Sequence, residues 1–166
     1  ELEMARQILW RSGIRTELRG TQGPGTATGI ARKAVQGGTQ MVIVCGGDGT
    51  INEVVNGLAG SQVPMAVLPA GTANVLAKEL GIPWEIPRAA ELIARGERRR
   101  IALGRVTQTK TGVSRYFLCI GGAGPDGVMI YSVDLELKAK MGVLAYWMEG
   151  FRQLGVYRFP HFRVKA

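Results

Sequence analysis

The sequence predicts an α/β chain in two parts: a parallel sheet covered by helices on both faces over residues 1–100, then the start of an antiparallel, β-rich second domain over residues 101–166. Three observations carry this reading. Strand-like runs at Ile14–Leu18, Met41–Cys45 and Val63–Leu68 alternate with helical patterns. A glycine-rich turn, Gly46-Gly47-Asp48-Gly49-Thr50, joins the middle run directly to a helix. Past Arg100 the alternation stops, and Ile101–Thr107 and Tyr116–Ile120 read as paired strands around the turn Thr109-Lys110-Thr111-Gly112.

Taken in order, Leu2, Ala5, Ile8 and Leu9 put an apolar stripe on an opening helix, and a second helix is expected around Ala27–Val35. Met41-Val42-Ile43-Val44-Cys45 is short, uncharged and β-branched, as a strand covered on both faces should be. Ile51, Val54, Val55 and Leu58 recur at helical spacing behind Thr50, and Thr50 with Glu53 forms the pattern of a capping box. Val63–Leu68 is the next strand, with helices after Thr72 and over Pro87–Arg95. In the second part, Leu144, Trp147, Met148 and Phe151 form a helical stripe expected to be core or inter-domain packing, and Phe162–Ala166 alternates as a strand.

The glycine turn is where chemistry is expected. Three glycines in four residues remove Cβ atoms where phosphates could approach the backbone, and a helix N-terminus offers unpaired N–H groups to anionic oxygens. Asp48 is the exception, because a carboxylate beside a polyphosphate is repulsive unless it works through magnesium, its waters, or a hydroxyl that it orients. A plain strand-to-helix turn with Asp48 as a cap is the alternative.

The Gly-Gly-Asp-Gly-Thr signature resembles that of the superfamily joining bacterial and eukaryotic diacylglycerol kinases, sphingosine and ceramide kinases, NAD kinases and phosphofructokinases. Pro69-Ala70-Gly71-Thr72-Ala73-Asn74 is similar to the lipid-kinase motif Pro-x-Gly-Thr-x-Asn, where NAD kinases differ. Gly122-Ala123-Gly124-Pro125-Asp126-Gly127 resembles Gly-x-Gly-x-Asp-Ala, with Gly127 replacing the alanine. The run from Lys138 to Tyr146 looks like the lysine-glycine-alanine-tyrosine helix start of the same branch. The resemblance, to the diacylglycerol kinase catalytic domain family, covers most of the chain.

It implies transfer of the γ-phosphoryl group of ATP to a lipid hydroxyl, with Mg2+. Matched residue by residue, it assigns Gly46, Gly47, Asp48, Gly49, Thr50, Ile51 and Asn52 to the nucleotide loop. Thr72 and Asn74 join them from the second motif, and Thr21 matches an early threonine. Lys138 and Asp126 fall where the family recognises lipid headgroup or phosphate. Asp48 is the implied catalytic residue, and metal ligands stay unassigned. Val75 and Ala102 stand where many bacterial relatives carry aspartates of a magnesium-linked network, so that network is not carried over. A non-catalytic nucleotide-binding or regulatory module and a NAD kinase-like enzyme are the alternatives.

Family members run to about twice this length, and the chain opens at Glu1 inside a helical stripe, which reads as a fragment lacking the first strand of its sheet. Unpaired strand edges would then favour a homodimer. With 46% hydrophobic and 20% charged residues, and no apolar run near the ~18 residues of a membrane span, a soluble cytoplasmic chain is expected. Cys45 and Cys119, both in apolar runs, are expected to be buried reduced thiols. A net charge of +8, with Arg95, Arg98, Arg99 and Arg100 clustered, suits peripheral contact with the inner face of a membrane carrying the lipid substrate. No zinc spacing, basic zipper or aromatic RNA motif points to nucleic acid.

Overall fold

The computed structural model describes residues 1–122, 124–134, 137, 140–161 and 163–164, and the chain divides into two compact units, Glu1–Cys119 and Ile120–Ala166. In the first unit, β1 (Val42–Gly46) and β2 (Met65–Pro69) pair in parallel, in register from Val42 opposite Met65 to Gly46 opposite Pro69. A parallel pair needs a crossover, and here it is helix α3 (Asp48–Leu58).

Each face of the pair is covered, because β-branched residues project alternately to both sides. Val44 and Val67 face α2 (Thr26–Gln36) and α3, where they bury against Ala27, Ala31, Ile51, Val54 and Leu58. Ile43 and Leu68 face α1 (Leu2–Arg11) and α5 (Ile86–Arg95), against Ala5, Leu9, Ala89 and Ala90. The opening stripe is therefore a helix, and α5 presents Ile86, Ala89, Ala90 and Ile93 at helical spacing. Helix α4 (Val75–Leu80) follows β2 and contributes Leu76 to the first cluster. At Gly57 of α3 a Cβ would stand 2.6 Å from both Ala31 Cβ and Thr28 O, so bare glycine permits the close α2–α3 crossing.

The expected hairpin is present as β3 (Gly104–Thr107) and β4 (Ser114–Phe117), antiparallel, with Gln108 and Val113 closing the turn and Gly112 at φ 70. It groups with the first unit rather than the second, and the reason is Asn56. The Asn56 amide donates from Nδ2 to Tyr116 O at 2.8 Å and accepts Tyr116 N–H at Oδ1 at 2.9 Å, acting as a backbone partner that clips β4 to α3.

Several expectations need correction. Ile14–Leu18 forms no strand. Ile14 N–H bonds back to Leu9 O and its side chain packs beside α1 and α5, so the segment makes no ladder. The Thr50–Glu53 capping box does not form. Helix α3 begins earlier, at Asp48, and the Glu53 carboxylate instead accepts the N–H groups of Gly25 at 2.7 Å and Ala27 at 3.0 Å, at the start of α2. Cys45 and Cys119 are exposed rather than buried. Cys45 shares the strand face of Ile43 and Leu68 but lies outside both core clusters.

In the second unit, α6 (Pro125–Ser132) and α7 (Val143–Val156) pack together, and among its described residues there is no strand, so the expected β-rich character is not seen there. Arg163 and Val164 carry no strand, and the rest of that expected element, Phe162, Lys165 and Ala166, lies outside the described residues. The stripe Leu144, Trp147, Met148 and Phe151 is exposed; α7 buries Ala145 and Gln153 instead, and Gly150 lies against Met129 Sδ. Small residues let α7 approach α6, which turns the large apolar stripe outward. Glu149 lies on the inward side, and its hydrogen bonds from Arg152 and Gln153 hold its carboxyl down at about 2.

Candidate functional site

In an open parallel sheet the carboxyl ends of the strands point at the space where ligands bind, and here two glycine loops meet there. β1 ends at Gly46 and β2 at Pro69, paired in register, and Ala70 donates its N–H to Gly46 O at 3.1 Å. Gly47 and Gly71 then come into backbone contact. A Cβ on Gly47 would stand 3.0 Å from Gly71 Cα, and one on Gly71 would run into Gly47 Cα and stand 2.8 Å from Asn74 Oδ1. The two motifs, 20-odd residues apart in sequence, form one surface.

Asp48 ties them further. Its Oδ1 accepts Val75 N–H at 2.7 Å, which caps α4 from another element, since the N-cap residue Asn74 makes no cap bond of its own. Among the described residues this is the only side-chain hydrogen bond of Asp48, so its second oxygen accepts none. Asp48 also opens α3, where the first helical bond runs from Ile51 N–H to Gly47 O. The N–H groups of Asp48, Gly49 and Thr50 therefore precede the helical ladder and are free to meet an anion. A Cβ on Gly49 would touch nothing within 4 Å, so the space above this helix end is open.

The other expected site residues divide by geometry. Thr50 lies against Gly46, where a Cβ would stand 3.0 Å from Thr50 Cβ. Thr72 is exposed in the second loop and Thr21 is exposed on the segment leading to α2. Ile51 is 2% exposed and belongs to the core, with its N–H used inside the helix, so its side chain cannot contact a ligand. Asn74 is 1% exposed and adopts φ 48. Its amide closes the loop on itself, accepting Gly71 N–H and donating to Gly71 O, each at 2.9 Å. Asn74 thus shapes the loop, which needs a residue that tolerates positive φ and bonds locally. Asn52 Oδ1 is buried without a hydrogen-bond partner among the described residues, an unmet acceptor. Asp126 lies in α6, but its side chain, like all of Lys138, is outside the described residues.

Sequence reasoning missed four groups. Glu53 and Asn56 act at 26 to 60 residues' separation, and no local pattern announces such partners. Glu79 and Cys119 line a cleft of about 340 Å³ with Leu76, Ala102 and Phe117. Burial pushes the Cys119 thiol up, and the Glu79 carboxylate, which accepts its hydrogen bond, and the nearby Asp48 charge push it further. The thiol stays protonated at neutral pH.

Glu53 carries a direct expectation. Its carboxylate satisfies two N–H groups at the start of α2 from within the motif that builds α3, and Thr28 Oγ1 donates to Glu53 O at 2.9 Å beside it. Removing a charged acceptor from two donors costs about 2 kcal/mol. Glu53→Ala is expected to lower the urea midpoint accordingly, with Glu53→Gln losing less because one acceptor oxygen remains. Equal midpoints for the two variants and the unaltered chain would remove Glu53 from the account.

Among the described residues no group of three or more His, Cys, Asp or Glu side chains is placed to hold a metal, and no helix is long and apolar enough to cross a membrane.

Comparison with known proteins adds the following. The family model described as the diacylglycerol kinase catalytic domain matches residues 1–106. The chain is 39% identical over 147 residues to the diacylglycerol kinase of Bacillus subtilis (strain 168), covering 87% of this chain and 46% of that protein. It is 34% identical over 146 residues to the diacylglycerol kinase of Staphylococcus carnosus (strain TM300), again covering 87% and 46%. A crystal structure of a diacylglycerol kinase from Bacillus anthracis strain Sterne superposes with a TM-score of 0.65 at 29% identity, covering 92% of this chain and 50% of that one. The chain spans about half the length of these relatives.

Proposed function

Because the chain belongs to the diacylglycerol kinase catalytic domain family, we propose that it forms the nucleotide-binding part of a lipid kinase that transfers the γ-phosphoryl group of ATP to a lipid hydroxyl such as that of diacylglycerol. The observation that supports this best is the joining of the two glycine loops through Gly47, Gly71 and the Asp48–Val75 bond, at the free N-terminus of α3. In this reading the N–H groups of Asp48, Gly49 and Thr50 receive phosphate oxygens, and Thr72 offers its exposed hydroxyl to the nucleotide. Thr21, exposed on the segment before α2, would add a second hydroxyl. Asn74 holds the second loop in shape, and Asn52 Oδ1 supplies an acceptor.

The residues present fit magnesium held jointly with a nucleotide rather than by a protein cage. Mg2+ is commonly bound through one or two carboxylates plus substrate phosphates and water, and Asp48 keeps one oxygen without an internal donor. When bound, the ion would neutralise charge on the transferred group. Asp48 would hold that ion, directly or through its water shell, and orient the hydroxyl that approaches the γ-phosphate. Lys138 and Asp126 would meet the headgroup.

A second reading, nucleotide binding without transfer, is favoured by Val75 and Ala102. Val75 gives Asp48 only its N–H, and Ala102 contributes no carboxylate to the cleft that Glu79 lines. One experiment separates the two: calorimetric ADP titration, run beside magnesium-dependent transfer from labelled ATP to diacylglycerol in mixed micelles. Binding with transfer supports the lipid kinase; binding alone supports the second reading; neither would overturn both.

A further inference from the structure

From Arg98 to Arg115 the chain holds six basic residues and no acidic one, so most of its net charge of +8 sits in eighteen positions. All six, Arg98, Arg99, Arg100, Arg105, Lys110 and Arg115, are exposed. The ion pairs among the described residues lie elsewhere, at Arg6, Arg19, Arg88 and Arg152, so none of the six is ion-paired among them.

The hairpin gives the charge a shape. Arg105 pairs across the ladder with Tyr116 and Val106 with Arg115, so Arg105 and Arg115 leave opposite faces of a two-stranded arm. Lys110 is in the turn at its tip, and Val106 and Val113 are 58% and 59% exposed. The arm is fixed at its base, where the Asn56 amide clips Tyr116 to α3. It is therefore rigidly tied to the helix that begins at Asp48.

We propose that this basic arm, with the Arg98–Arg100 turn before it, is the surface by which the chain docks on an anionic phospholipid bilayer. Cations on both faces, with valines between them, suit a headgroup layer that surrounds the arm, and each basic residue near such a surface strengthens binding roughly fivefold. A second copy of the chain fits poorly, because two such arms would repel. Single-stranded nucleic acid fits poorly as well, because Tyr116 and Phe117, the aromatics of the arm, are partly buried rather than free for base stacking. The choice of a lipid surface rests on the lipid-kinase reading. It goes further by assigning the contact to the arm, which would hold the Asp48 end of α3 at a fixed spacing from the membrane.

The test is sedimentation with phosphatidylcholine vesicles, with and without one-third phosphatidylglycerol, at physiological salt. Three proteins are compared: the unaltered chain, Arg105→Gln/Lys110→Gln/Arg115→Gln, and a control of equal charge loss, Arg11→Gln/Arg15→Gln/Arg19→Gln. The arm variant is expected to bind anionic vesicles on the order of a hundredfold more weakly, and the control only a few-fold more weakly. Neither is expected to bind neutral vesicles. Equal losses in the two variants, equal binding to neutral vesicles, or tighter binding to duplex DNA than to anionic vesicles would each overturn the proposal. ADP calorimetry on the same samples keeps the readings apart. Unchanged affinity in the arm variant supports separate nucleotide and membrane surfaces, whereas a chain that binds vesicles through the arm but binds no ADP would overturn the kinase reading alone.

Discussion

Asp48→Asn is expected to remove magnesium-dependent transfer to diacylglycerol by on the order of a thousandfold or more while leaving the fold in place. Phosphoryl transfer depends on positioning and charge neutralisation rather than on covalent chemistry by the protein, so the loss of one well-placed charge falls almost wholly on the transition state. The fold survives because asparagine keeps an oxygen that can accept Val75 N–H, the bond that caps α4. Asp48→Ala separates the two duties. It loses the charge and the cap together, and a lost cap costs about 1 kcal/mol, so its urea midpoint should fall where that of the asparagine variant does not. Transfer rates are read with ADP calorimetry on the same preparations. Undiminished transfer in Asp48→Asn would take Asp48 out of the mechanism and leave it as the cap of α4.

The sheet and its helices were legible because burial writes itself locally. Met41–Cys45 is uniformly apolar because both of its faces are covered, and Ile51, Val54, Val55 and Leu58 recur at helical spacing because one side of α3 faces the core. The hairpin turn was legible for a similar reason: Gly112 takes positive φ, and the strands around it are short. What misled the reading at Glu53 and at the stripe of α7 was a partner outside the local pattern. Thr50 and Glu53 have capping-box spacing, yet the carboxylate finds better donors at Gly25 and Ala27, across the α2–α3 crossing. Leu144, Trp147, Met148 and Phe151 read as a buried stripe, but α6 accepts only the small-residue side of α7, and hydrophobic spacing does not say which neighbour is present.

The candidate site shows the same division. Its location followed from glycine spacing, and its assembly did not. Asn74 was grouped with the ligand-binding residues, although its amide is committed to Gly71, and Ile51 was grouped with them although it is core. A linear motif marks which positions matter without separating those that touch a ligand from those that hold the loop. The contact between Gly47 and Gly71 could not be read from either motif alone, since each glycine is required by the backbone of the other.

That contact sets up a comparison between two glycines of the same site. At Gly71 a methyl group would meet backbone, Gly47 Cα, which cannot swing aside as a side chain would. Gly71→Ala is expected to part the loops, costing about 1–3 kcal/mol of stability and abolishing ADP binding with it. At Gly49 a methyl group meets nothing, and the residue lies in the first turn of α3. There alanine restricts the unfolded chain more than glycine does, so Gly49→Ala should raise stability by about 0.5 kcal/mol. The same methyl group would stand in the open space above the helix N-terminus, where a phosphate is proposed to sit, and should weaken ADP binding at least about tenfold, the equivalent of some 1.4 kcal/mol. A variant that is more stable yet binds nucleotide less well cannot be explained by damage to the fold. If Gly49→Ala binds ADP as tightly as the unaltered chain, the phosphates do not lie at the start of α3, and the free N–H groups there serve some other end.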